Sequence, residues 1–258
     1  MLEGLARSKL LSLSPSMNSR EDYDDTIRQR SGWLIPVGVF AVTAVLSAMV
    51  LLFYLAPTPQ SFFRERPAPT SRADPISITV EGVSFTIPAN YILYKSARQG
   101  GARENVALIA IYPDFRGYSD WESQTFASDA ADSPVIYLLI RKDPYNITEA
   151  ERLKRIYRNF VSDPAGKPAP FDLTEYTFRD DSGYRDEDLF VGGTADAPIV
   201  FRCDRFSQQV RSPYCLRDVR LKRGVAVSYR FKRALLANWH QIAAGVDQLL
   251  QSFRTHAK

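Results

Sequence analysis

The sequence predicts an α+β protein with a single amino-terminal transmembrane helix followed by one domain built on a mixed or antiparallel sheet with two packing helices. Three observations predict this class: one long uncharged apolar run, several short segments in which apolar residues alternate, and two segments with helical periodicity. The predicted order is a disordered tail at residues 1–31, a transmembrane helix at 32–55, a proline-rich linker at 56–75 and a domain at 76–258.

The apolar run extends over residues 33–55, which carry no charged side chain. About 20 apolar residues cross a bilayer core, whereas a secretory signal has an apolar run of about 7–15 residues. Trp33 and Tyr54 lie at its two ends, where amphipathic rings favour the membrane interface. We interpret the run as an uncleaved membrane anchor, with a buried core helix and a cleaved signal as the alternatives.

The orientation of this anchor follows from the basic residues beside it. Arg28 and Arg30 lie close before the run, whereas Arg64 is the first basic residue after it. Because basic residues favour the cytoplasmic side, the tail is predicted in the cytoplasm and residues 76–258 in the periplasm of a bacterial inner membrane. The inverted orientation is the alternative. The tail has no apolar periodicity, and Met17 is a second candidate start.

The chain has two cysteines, Cys203 and Cys215. A periplasmic domain lies in an oxidising compartment, which favours a disulfide between them. A closed zinc site needs about four ligands, and the chain adds only His240 and His256 without a ligand spacing. Two unpaired buried thiols are the alternative. No metal and no cofactor are predicted.

The domain opens with an expected β-hairpin, because apolar residues alternate over 76–80 and 83–87 around Glu81-Gly82. Further strands are predicted at 106–113, 133–140, 171–178, 197–206, 215–221 and 225–231. A helix is predicted over 148–161, where Thr148 and Glu151 form a capping box, and a second over 234–253, with one apolar stripe.

Charge is unevenly distributed along the domain. Residues 199–258 carry twelve basic and three acidic side chains, and the predicted closing hairpin is the most basic part. One interpretation is that these cations and the acidic stretch 179–188 complement one another across the folded surface, or are simply solvated. The other is that the cations of this hairpin, with Arg233 directly after it in the chain, form a basic strip that contacts an acidic partner or anionic lipid headgroups. The predicted contact residues of this strip are Arg217, Arg220, Lys222, Arg223, Arg230 and Lys232.

A second candidate binding segment is the aromatic stretch 112–126. Aromatic side chains are enriched at protein interfaces, although the same residues also build ordinary cores. The residues predicted to line a groove are Tyr112, Phe115, Tyr118 and Trp121. The acidic stretch lacks the spacing of a known calcium loop.

The sequence contains no glycine-rich phosphate loop, GxSxG, HExxH or kinase signature. No catalytic residue is therefore predicted, and nucleic acid is excluded as a partner by the expected location. The predicted function is non-enzymatic binding of another envelope component, with a protein as the partner and no cofactor. A membrane-anchored periplasmic enzyme of unrecognised type is the alternative.

Overall fold

The computed structural model describes residues 32–55 and 65–254. The chain divides into two units, residues 1–64 and residues 65–258. The predicted tail, residues 1–31, and the first part of the predicted linker, residues 56–64, lie outside the described residues, as does His256.

In the first unit the apolar run forms one helix, α1, at Leu34–Leu55. The side chains described in it, at residues 35–51, are exposed. Over the described parts of the chain, no helix combines the length and the apolar content that crossing a membrane requires. The predicted helix is therefore present, and its insertion in a membrane is not shown.

The second unit contains eleven strands and three α-helices among its described residues. In chain order they are β1 Pro75–Val80, β2 Val83–Pro88, β3 Gly101–Ala102, β4 Asn105–Ile111, α2 Ser123–Ala127, β5 Val135–Lys142, α3 Glu149–Arg155, β6 Lys167–Ala169, β7 Leu173–Thr177, β8 Glu187–Gly193, β9 Pro198–Asp204, β10 Tyr214–Lys222, β11 Val225–Lys232 and α4 Trp239–Phe253.

Eight strands form one sheet in the order β4-β5-β11-β10-β9-β8-β7-β6, and every neighbouring pair is antiparallel. A smaller sheet has the order β2-β1-β3. The result is an α+β domain dominated by one large antiparallel sheet, as the sequence predicts.

The main hydrophobic core covers one face of the large sheet, which we call the covered face. Alternate residues of its strands, such as Leu108, Leu138 and Val227, pack there with the β1–β2 hairpin and α4. The predicted stripe of α4 is confirmed, because Trp239 and Val246 are among its buried residues. Burying one sheet face against a helix is the usual way such a domain obtains its core.

The opposite face carries two smaller clusters, one near each end of the sheet. Leu153 and Tyr157, from α3 and the turn after it, pack on Leu189 and Val200 of β8 and β9. At the other end Phe126 of α2 packs with side chains of β4 and β5. The middle of this face, formed by β5, β11 and β10, therefore lies between two covered ends.

Local signals account for the elements that the sequence predicts correctly. Glu81 and Gly82 form the two-residue β1–β2 turn, both with positive φ. Thr148 caps α3 through a capping box with Glu151, as predicted. Both predicted helices are shorter than expected, because 3₁₀ turns occupy Tyr157–Asn159 after α3 and Arg233–Asn238 before α4.

Part of the predicted linker packs on the domain. The Ala68 N–H donates to the Leu93 carbonyl (2.9 Å), and the Arg98 guanidinium donates to the Ala68 carbonyl (2.7 Å). The second unit begins at Glu65, so the predicted boundary at residue 76 lies inside it.

Candidate functional site

The two cysteines form a disulfide between β9 and β10. Cys203 and Cys215 are direct partners in the antiparallel register, and both are fully buried on the covered face. The predicted disulfide is confirmed. It holds the two strands together at the point where their pairing is short, since only Leu216 and Arg202 extend it.

Arg217 does not belong to the exposed basic strip, because it lies inside the domain with 6% of its surface exposed. Its position on β10, two residues after Cys215, directs it to the same face as the buried disulfide. Its Nε and Nη2 donate to the two oxygens of Glu149 on α3, both at 2.9 Å, and its Nη1 donates to the Tyr229 hydroxyl at 3.0 Å.

Glu149 also accepts the Val200 N–H of β9 at 2.6 Å. The carboxylate therefore bridges β9 and β10 beyond their last backbone pair. Burial by itself would lower the pKa of Arg217, but the hydrogen bonds to Glu149 outweigh it, and the pKa is raised. Burial raises the pKa of the Tyr229 hydroxyl, against the opposing charge of Arg217. Both groups thus keep their ordinary protonation states in this network.

Lys232 is the second predicted strip residue that the structure buries, with 1% of its surface exposed. Its ammonium donates to the Asp129 carboxylate and the Ser212 hydroxyl, and it lies 3.7 Å from the centroid of the Tyr214 ring. Hydrogen bonds from Lys232 and Tyr214 hold the pKa of Asp129 below its usual value. Loops remote in sequence cover this lysine, so strand alternation alone could not reveal its burial.

The other four predicted contact residues are exposed: Arg220, Lys222, Arg223 and Arg230. We keep the name basic strip for these four. Arg220 donates to the Asn146 carbonyl at 2.8 Å, and Lys222 and Arg223 lie at the β10–β11 turn. Arg230 lies on the face opposite Val227 and Tyr229.

Three cations of residues 199–258 pair with the acidic stretch, so part of the charge asymmetry is neutralised by the complementarity that the first interpretation proposes. Asp188 accepts from Arg205 at 2.8 Å and pairs with Arg233 at 2.9 Å, and Glu187 pairs with Arg202 at 2.8 Å. These carboxylates belong to the acidic stretch 179–188, whose last two residues begin β8. The remaining exposed cations of the closing hairpin are those of the basic strip.

The structure does not bring the four predicted groove residues together, because they lie in different environments. Phe115 is buried in the main core, against Gly245 of α4, where an added Cβ would lie 1.9 Å from the ring. Tyr118 packs with Phe126 in the cluster on the other face. Tyr112 is half-buried beside Phe115, and Trp121 is 98% exposed. The chain reverses between these residues, so they do not line one surface.

A cleft lies in the middle of the sheet face opposite the covered face, and no sequence pattern predicts it. We call it the open-face cleft, with a volume of about 270 Å³. Register places Tyr137, Arg230 and Leu216 in one row across β5, β11 and β10, and Leu139, Ser228 and Asp218 in the next row. The residues that line this cleft include Leu93, Tyr137, Leu139, Leu216, Ser228 and Arg230.

Metal chemistry has no candidate site in residues 32–55 and 65–254, where no group of three or more His, Cys, Asp or Glu side chains could hold an ion. His240 is exposed beside Trp239. The acidic stretch uses Glu187 and Asp188 in ion pairs.

Comparison with known proteins finds similar folds among solved structures. No protein-family model matches the chain, and no curated protein matches it. Among solved structures, the fold is similar to an immunity protein of the Stenotrophomonas maltophilia type IV secretion system. That match has a TM-score of 0.51 and 16% identity over 71% of this chain and 94% of that one. A second similar structure is the iron-regulated outer membrane lipoprotein FrpD of Neisseria meningitidis, with a TM-score of 0.45 and 15% identity over 74% and 97% of the two chains.

Proposed function

We propose that this chain is an envelope protein whose domain binds a partner protein, and that the basic strip and the adjoining sheet face form the contact. The observation that carries the proposal is the exposure of Arg220, Lys222, Arg223 and Arg230 on the closing hairpin, when most other cations nearby are paired. A positive surface of this kind favours an acidic partner and accelerates its association.

Two further observations support an envelope protein that acts by binding. The buried Cys203–Cys215 disulfide suits an oxidising compartment. The similar solved structure is described as an immunity protein of a secretion system, which is consistent with a domain that acts by binding. On this proposal residues 32–55 anchor the chain in the inner membrane, residues 1–31 lie in the cytoplasm and residues 76–258 lie in the periplasm.

The proposed topology predicts the activity of enzyme fusions. Alkaline phosphatase requires an oxidising compartment, so a fusion after Lys258 is expected to be active and a fusion after Arg30 inactive. Phosphatase activity, normalised to the amount of fusion protein, is the measurement. An inactive fusion after Lys258, present in normal amount in the membrane fraction, would overturn the periplasmic placement.

The proposed contact predicts the behaviour of a triple variant, Arg220→Gln, Lys222→Gln and Arg223→Gln. Exposed surface changes usually alter stability by less than about 0.5 kcal/mol, so the domain should remain folded. Its partner should be recovered in much lower yield when the full chain is purified from detergent extracts, because the attraction between the two surfaces is removed.

A matched control removes three exposed cations elsewhere: Lys154→Gln, Arg155→Gln and Lys167→Gln. Among the described residues the Arg155 side chain forms one ion pair, an exposed one with Glu151 at 3.8 Å, so its loss should have little effect. Equal partner recovery with both triple variants would refute the basic strip as the contact surface, whereas selective loss with the first supports it.

A further inference from the structure

The open-face cleft has a mixed surface, apolar at its base and positively charged at one side. Leu93, Leu139 and Leu216 supply apolar area, and the last two are half-buried. Leu139 and Leu216 approach one another only because β11 pairs with both of their strands. Its volume of about 270 Å³ lies below the range of about 300–1,000 Å³ typical of small-molecule sites, which favours insertion of side chains.

Two tyrosine rings restrain the side chain of Arg230 at one side of this cleft. Its guanidinium carbon lies 4.8 Å from the ring centroid of Tyr137 and 5.0 Å from that of Tyr214. Stacking between two rings restricts the side chain while leaving its donors available, and a guanidinium matches the geometry of a carboxylate. Arginine and tyrosine are both enriched among the residues that contribute most to binding at protein interfaces.

The carboxylates near Arg230 are already engaged. Asp129 accepts from Lys232 and Tyr214, and Asp218 accepts from Arg141 (3.4 Å) and Ser228 and pairs with Arg152 (3.4 Å). Within the described part of the chain Arg230 forms no ion pair. The cleft therefore presents one exposed cation without a matching anion.

From this charge and shape we infer that the open-face cleft binds a segment of a partner protein in which an acidic residue lies beside a large apolar one. The apolar side chain packs on Leu139 and Leu216, and the carboxylate pairs with Arg230. This inference rests on the proposed function, since it specifies the chemistry of the partner at one part of the proposed surface.

The test uses the full chain in detergent micelles and short random peptides displayed on phage. Selected peptides are expected to be enriched in Asp or Glu within two positions of Leu, Ile or Phe. A synthetic peptide from the selection should bind Arg230→Gln about tenfold more weakly than the unaltered chain, a difference of about 1.4 kcal/mol. Arg230→Lys should fall between them, because lysine keeps the charge but loses the planar fork.

Arg211→Gln is the matched control, since Arg211 is exposed in the loop between β9 and β10. Leu216→Asn examines the apolar part of the cleft separately and should also weaken the peptide. Enrichment without acidic residues, or equal affinity for Arg230→Gln and Arg211→Gln, would overturn the inference. If the hairpin triple variant still loses its envelope partner in that case, the proposed function stands and only the cleft chemistry fails.

Discussion

Replacing Glu149 with alanine is expected to lower the free energy of unfolding of the domain by about 3–5 kcal/mol. The substitution leaves the Arg217 guanidinium buried without its carboxylate and leaves the Val200 N–H without its acceptor. Breaking one side of a buried ion pair is costly because the remaining charge stays desolvated. Urea denaturation of the full chain in detergent, followed by tryptophan fluorescence, to which buried Trp239 contributes, measures the change.

The double variant Glu149→Ala with Arg217→Met separates the ion pair from the general effect of altering α3 and β10. Because methionine removes the uncompensated charge, the double variant should be more stable than Glu149→Ala alone. A cost below about 1 kcal/mol for Glu149→Ala, or simple addition of the two single effects, would show that the network is not coupled as the structure indicates.

Replacing both cysteines with alanine is expected to cost about 3 kcal/mol. The disulfide closes a loop with a sequence separation of 12 residues, and its removal gives the unfolded chain greater conformational freedom. The same denaturation experiment measures the loss. Reduction of the unaltered chain is the control, since it opens the loop without changing the sequence. Unchanged stability in both experiments would contradict a stabilising role for this bond.

The sequence predicts the elements whose signals are local. The capping box of Thr148 and Glu151 and the glycine-containing β1–β2 turn depend on neighbouring residues, and both form as expected. β8 was missed because it begins with Glu187 and Asp188 and ends with two glycines. Its two acidic residues form ion pairs with Arg202 of β9, Arg205 just after β9 and Arg233 just after β11. No local sequence pattern indicates these pairs.

The candidate site also contains positions that local patterns predict and positions that depend on residues remote in sequence. The positions of Arg220 and Arg230 follow from strand alternation, and that of Arg217 could have been inferred from its spacing to Cys215. The burial of Lys232 depends on Asp129 and Ser212, which lie in remote loops. The open-face cleft depends on strand order, because β11 lies between the strands that carry Leu139 and Leu216.

The central claim is that the basic strip binds a protein partner through charge. The most direct test is the affinity of the full chain for its co-purified partner, measured over a range of salt concentrations with and without Arg220→Gln, Lys222→Gln and Arg223→Gln. Exposed charges are screened over about 8–10 Å at physiological ionic strength, so binding by the unaltered chain should weaken steeply as salt rises. The triple variant should bind more weakly at low salt and with a much smaller salt dependence. The same affinity and the same salt dependence for both proteins would contradict the claim.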